Sequence, residues 1–203
     1  MLLTITLAGI LIGFSLYIGK TELFLLLNVD LGTAADVFFK YITYGGDGSL
    51  WLLWMGYALF KKKRSLVPLI ASGFVTSTII IQLFKQVILP HQPRPCSAIA
   101  DHSLIHFVPG VIVYTIDSFP SGHTATAFCF ALLTSLVARN KWWSVAAFIV
   151  ACLIGYSRIY LGQHFPLDVG AGMFAAFLSM WLSVQFQDWN NKRRQRLTPE
   201  TEP

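Results

Sequence analysis

Six mainly apolar stretches alternate with short basic clusters, and this alternation restricts the fold more than any other feature of the chain. The stretches are 2–19, 49–60, 65–89, 121–138, 142–161 and 166–189. The clusters are Lys61-Lys62-Lys63-Arg64, Arg139 with Lys141, and Lys192 with Arg193, Arg194 and Arg196. A helix needs about 20 apolar residues to cross a bilayer core, and most of the stretches approach that length. Only 12% of the 203 residues are charged, against about 25% in a soluble domain, and mean hydropathy is +0.59. The chain reads as an integral membrane protein forming one compact bundle. Its net charge of +5 does not indicate nucleic-acid binding, because membrane spans separate the basic groups.

The expected fold is all-α, a bundle of six transmembrane helices. Stretch 2–19 reads as the first span; a cleaved signal peptide would need a basic N-terminal region and a small-x-small cleavage site, which are missing. Residues 20–47 read as an amphipathic helix in the membrane interface between spans 1 and 2, closed by a Gly45-Gly46-Asp47-Gly48 turn. Span 49–60 is short and has to borrow preceding residues or let its lysines snorkel. Residues 1–189 form a single domain, and 190–203 form a polar, disordered tail. The three cysteines (Cys96, Cys129 and Cys152) show neither metal-ligand spacing nor a disulfide framework.

Basic loops mark the cytoplasmic side. Six spans put all three clusters there, and the tail with them. The polar residues within or next to the spans then gather at the opposite, periplasmic end. Lys85 closes the third span and Arg94 lies in the loop after it. Ser121, Gly122 and His123 open the fourth, and Arg158 closes the fifth. His164 and Asp168 open the sixth. Ionisable residues at membrane depth are costly and mark function.

These residue types suit phosphate chemistry. Pro166 is favoured at the first position of a helix, which puts Asp168 in the opening turn, able to reach back to His164. A carboxylate on one ring nitrogen fixes the tautomer and leaves the other nitrogen as a nucleophile; an N-cap and an interfacial histidine are the plainer reading. Pro120-Ser121-Gly122-His123 starts a helix whose free N–H groups and dipole attract an anion. His123 sits above that point as a candidate proton donor. Lys85, Arg94 and Arg158 can neutralise phosphoryl oxygens. Asp101, His102 and His106 fit loop solvation or substrate gating better than metal binding. The constellation requires no metal and no cofactor.

These residues resemble the type 2 phosphatidic acid phosphatase superfamily, whose motifs are Lys-x6-Arg-Pro, Pro-Ser-Gly-His and Ser-Arg-x5-His-x3-Asp. The second matches at 120–123 and the third at 157–168. The first departs: eight residues separate Lys85 from Arg94, and two extra residues turn Lys85 away from its usual bearing. The resemblance implies that His164 attacks phosphorus and forms a phosphohistidine, with Asp168 orienting it. His123 protonates the leaving group and later activates water. Lys85, Arg94, Ser121, Gly122 and Arg158 hold the phosphoryl oxygens. It implies a membrane lipid phosphate as substrate, with the active site facing the periplasm across a bacterial inner membrane. Undecaprenyl diphosphate, lipid A phosphate, phosphatidylglycerophosphate and phosphatidate all fit. Two rivals are a lipid-to-lipid phosphotransferase with the same residues and a non-catalytic lipid-phosphate binder or transporter, which would need neither histidine.

Overall fold

The computed structural model describes residues 1–197, and among them every regular element is helical. In chain order these are α1 (Leu2–Ile18), α2 (Lys20–Leu27), α3 (Thr33–Ile42), a 3₁₀ turn (Thr43–Gly46) and α4 (Ser49–Phe60). Next come α5 (Val67–Leu83), which runs on as a π-helical turn (Phe84–Ile88), and the short α6 (Pro95–Ala98). The chain then forms α7 (Gly122–Val137), α8 (Lys141–Tyr160) and α9 (Pro166–Leu197). Three helical stretches are long and apolar enough to cross a membrane: Arg64–Ile88, Lys141–Tyr160 and Pro166–Arg196. The pair α1 and α2 passes the same test jointly but is bent by 114°. Helices α4 and α7 are apolar but shorter.

Helix α9 is the axis of the bundle. It packs against α1, α5 and α7, and α7 also packs on α8. Small residues make this closeness possible, as is usual between membrane helices. Gly170 faces Ala8, Leu11 and Ile12 of α1. Gly172 faces α7, where a Cβ would lie 2.5 Å from the carbonyl oxygen of Ser121. The core between these helices holds Ala8, Phe128, Cys129, Leu132, Leu133, Ile154, Met173, Ala176 and Met180. On the outside, Leu2, Leu3, Leu16, Leu52, Phe60, Val87, Trp142 and Trp143 are exposed. So large an apolar surface requires lipid around it, and the chain is an integral membrane protein.

Three elements differ from the sequence expectations. The segment 20–47 is two helices rather than one, because residues 28–32 break the chain between α2 and α3; Gly19, at φ 100°, a conformation open to glycine, separates α2 from α1. The last helix does not end near 189 but runs through Lys192, Arg193, Arg194 and Arg196 to Leu197. Those cations leave the apolar span but are good helix formers and favour a helix C-terminus. The rest of the expected tail, 198–203, lies outside the described residues. The loop 90–119 also carries structure: α6 and a 3₁₀ turn at His102–Leu104.

Overpacking a helix contact costs about 1–3 kcal/mol. Gly172→Ala is expected to lower the unfolding temperature in detergent and to reduce activity, by pushing α7 off α9 where Ser121 meets Asp168. Gly56→Ala in α4, with no atom near its added Cβ, is expected to do neither. Equal behaviour of the two variants would contradict this account of the contact.

Candidate active site

The turn between α8 and α9 is built by the main chain. The N–H groups of Gln163 and His164 both donate to the Arg158 carbonyl, at 2.9 and 3.0 Å, and Gly162 takes φ +66°. Asn28, at the end of α2, donates to the carbonyls of Ile159 and Tyr160 at 3.0 and 2.9 Å. That satisfies the open end of α8. His164 is thereby fixed at the mouth of α9 and is only 2% exposed.

Asp168 does two things at once. Its Oδ2 accepts the Phe165 N–H at 2.9 Å and the Ser118 hydroxyl at 2.5 Å. The same oxygen lies 3.5 Å from His164 Nδ1. That distance brings no well-formed hydrogen bond, and Nδ1 is otherwise unpartnered. On the other side of the ring, Arg94 Nη1 is 3.5 Å from Nε2. A guanidinium can only donate and a carboxylate can only accept, so the two neighbours suit the tautomer with the lone pair on Nε2 and the proton on Nδ1. Burial, then the charges of Arg94, Arg158 and Lys85, hold His164 well below the ordinary imidazole pKa.

The loop 90–119 folds back to deliver Arg94. Its N–H donates to Thr115 O at 2.9 Å, and Ser118 N–H donates to Gln92 O at 3.0 Å. The guanidinium is then aimed by neutral acceptors: Ile116 O at 2.8 Å, Gln163 O at 3.0 Å and Gln163 Oε1 at 3.1 Å. Arg158 Nη1 donates to Thr43 Oγ1 at 2.6 Å, and its buried Nε has no partner. Lys85 lies on the π-helical turn, within electrostatic reach of Arg94, Arg158, Asp117 and Asp168. π-turns inside helices are frequent at functional sites, and here one falls where the Lys85-to-Arg94 spacing is long. Among the described residues none of these three cations forms an ion pair; the four ion pairs present are all between His and Asp.

Ser121 caps α7: its Oγ accepts Thr124 N–H at 3.4 Å and the Thr124 hydroxyl at 2.9 Å. Gly122 is the first residue of α7, and His123 follows, within electrostatic reach of His164, Arg158, Arg94 and Lys85. All eight residues singled out from the sequence therefore meet at one end of the bundle. Four others touch them and were not singled out: Asp47 on His123, Thr43 on Arg158, Ser118 on Asp168 and Gln163 on Arg94. Ser118 and Gln163 stand beside motif residues, and that proximity was the available signal. Of the loop residues, Asp101 accepts from Ser103, His102 Nε2 meets Cys96 O at 2.8 Å, and His106 Nε2 meets Asp36 at 2.9 Å. Asp30, Asp36 and His106 could jointly hold a metal ion, but they share no residue with the His123–His164 group.

An all-helical membrane bundle with two histidines and three cations outside any ion pair gathered at one end is an arrangement suited to a membrane phosphatase. Residues 65–192 match the PAP2 superfamily, and the chain belongs to that superfamily. It is similar to an undecaprenyl-diphosphatase of Sulfolobus acidocaldarius, 31% identical over 87% of this chain and 83% of that protein. It resembles the crystal structure of Aquifex aeolicus LpxE with a TM-score of 0.69 and 32% identity, covering 81% of this chain and 93% of that one. A transmembrane PAP2-type phosphatidylglycerolphosphate phosphatase from Bacillus subtilis shares the fold, with a TM-score of 0.58 and 22% identity over 92% and 93% of the two chains.

The buried neutral His164 has a consequence for stability. In the unfolded chain the imidazole takes a proton near pH 6.5; in the folded protein it does so only at much lower pH. Below about 6.5 the unfolded state binds more protons, so stability falls as the pH falls, by at most about 1.4 kcal/mol per pH unit. Unfolding temperatures measured from pH 8 to 5 without phosphate are expected to decline less in His164→Gln than in the wild type. Parallel curves would contradict the buried neutral state.

Proposed function

We propose that this phosphatase hydrolyses the phosphate or diphosphate of a membrane lipid through a phosphohistidine on His164. The observation that carries this reading is the set of cations without carboxylates. A buried charge is tolerated when an opposite charge meets it; among the described residues no carboxylate lies within ion-pair distance of buried Arg94 and Arg158 or of half-buried Lys85, and Asp168, Asp117 and Asp47 act on them only from longer range. A phosphoryl group supplies that opposite charge. The unpartnered Nε of Arg158 and the main-chain N–H groups opening α7 add donors for its oxygens. The Ser121 hydroxyl accepts from Thr124 and keeps its own hydrogen for the ligand.

In the first step His164 Nε2 attacks phosphorus in line with the leaving oxygen. The N–P bond forms as the P–O bond to the lipid breaks, and His123 gives its proton to the leaving oxygen. Asp168 faces the positive charge that develops on the His164 ring. In the second step water attacks phosphorus, His123 takes a proton from it, and the N–P bond breaks to release inorganic phosphate. The steps as written use no metal.

Two cavities support a lipid substrate, and both border His123 and Asp47. One, of about 370 Å³, has Lys40, Tyr44, Tyr114 and Arg158 among its lining residues. The other, of about 260 Å³, opens between α4 and α5 beside Trp51, Phe74 and Ile81. The first suits a headgroup and the second the start of a hydrocarbon chain. Helix α3 lies beside the first, with Phe39 buried and Val37, Phe38 and Tyr41 exposed, as suits a helix at the membrane surface. Counting α1, α4, α5, α7, α8 and α9 as six spans leaves the basic clusters at the cytoplasmic end. The site then opens to the outer leaflet of a bacterial inner membrane.

The test is phosphate release from purified undecaprenyl diphosphate, lipid A, phosphatidylglycerophosphate and phosphatidate, in detergent with EDTA. At least one is expected to turn over, and His164→Asn is expected to lose at least about a thousandfold. Full activity in that variant would remove the nucleophile assignment.

A further inference from the structure

Asp47 touches the site without belonging to any of its motifs. Its Oδ1 lies 2.9 Å from His123 Nε2. It follows the 3₁₀ turn 43–46, and its N–H donates to Tyr44 O at 3.1 Å. The turn is pressed onto the histidine: a Cβ on Gly46 would lie 2.7 Å from His123 Cβ. The same turn supplies Thr43 to Arg158. Both residues precede the segment 65–192 that matches the superfamily, so the site is completed by a part of the chain outside that match.

The charges around His123 are one-sided. Lys85 faces it from the end of α5, Arg158 from α8, and Arg94 and His164 from the loops. Tyr44, Tyr114 and Lys40 line the adjoining cavity. Asp47 is the carboxylate in contact with the ring, whereas Asp168 is engaged with Ser118, Phe165 and His164. A histidine that donates a proton to a leaving oxygen must be held as imidazolium against those cations, with its second N–H satisfied.

We propose that Asp47 is a positioning residue for the proton donor: it holds His123 Nε2–H, turns Nδ1 toward the leaving oxygen, and stabilises the imidazolium. This rests on the phosphohistidine reading. In the transfer step the N–P bond to His164 forms and the P–O bond to the lipid breaks. The proton on His123 Nδ1 goes to the leaving oxygen, and Asp47 stays ionised throughout. The site thus contains two His–Asp pairs, one for the nucleophile and one for the acid.

The experiment compares Asp47→Asn and Asp47→Glu with the wild type and His164→Asn on whichever lipid phosphate the wild type cleaves. Asp47 is half-exposed, so unfolding temperatures are expected to change little. Asp47→Asn is expected to lower kcat at least about tenfold, a part of the about 10²–10⁴-fold that general acid–base catalysis contributes as a whole, with KM changed less than about threefold. The alkaline limb of kcat/KM is expected to move to lower pH, because the free enzyme then loses the acid's proton sooner. Asp47→Glu is expected to recover part of both effects. An unchanged kcat, a loss carried by KM, or a loss with the pH profile unmoved would each overturn the role of Asp47. In all three cases an inactive His164→Asn leaves the phosphohistidine reading standing; an active one would remove that reading instead.

Discussion

Three cations with no carboxylate on them, set around a neutral imidazole, are the constraint on which the rest of this structure depends. Burying a guanidinium without a counter-charge is unfavourable by several kcal/mol. The protein offsets this only in part, with neutral acceptors: Ile116 O, Gln163 O and Gln163 Oε1 on Arg94, and Thr43 Oγ1 on Arg158. Carbonyl and hydroxyl dipoles aim a guanidinium without cancelling its charge. What remains is a fixed positive potential at a point that a phosphoryl group can occupy, which is how preorganised sites stabilise charge that develops during reaction.

The scaffold keeps that arrangement from relaxing. If α7 could slide along α9, the N-terminal end of α7 would move away from Asp168, whose carbonyl accepts Ser121 N–H at 3.0 Å. The absent side chain at Gly172 and the cap at Ser121 hold the two helix starts together. Asn28 and Gly162 do the same for the end of α8. On the far side, the 3₁₀ turn before α4 closes over His123 and Arg158. The end that holds the proposed site is therefore a meeting of helix termini, where free N–H groups and polar caps are already concentrated, while the other end of the bundle carries the basic clusters.

What the sequence disclosed was local. The bounds of α4 at 49–60 and the starts of α7 and α9 follow from apolar runs, Ser121 as cap and Pro166 at the first turn. The motif residues other than Arg94 were legible because they sit at or beside the ends of spans, and the order of spans sends those ends to one side; Arg94 stands in the loop 90–119. The missed features are tertiary. Nothing near Asp47 in the chain points to His123, and Thr43 has no local reason to face Arg158. The expected bearing of Lys85 assumed an ideal helix, whereas the last turn there is π-helical. The close of α9 was placed where apolarity stops, but helix propensity carries the helix on through its arginines. The direct His164–Asp168 hydrogen bond inferred from spacing is instead a 3.5 Å approach, because Ser118 and the Phe165 N–H compete for the same oxygen.

The most direct test of the central claim is a crystal structure with orthovanadate, a phosphate-shaped anion that can bond to nitrogen. The vanadium is expected on His164 Nε2, with its oxygens on Arg94, Arg158 and Lys85 and one apical oxygen toward His123. Vanadate bound away from His164, or bound there with Arg158 Nε still unpartnered, would contradict it.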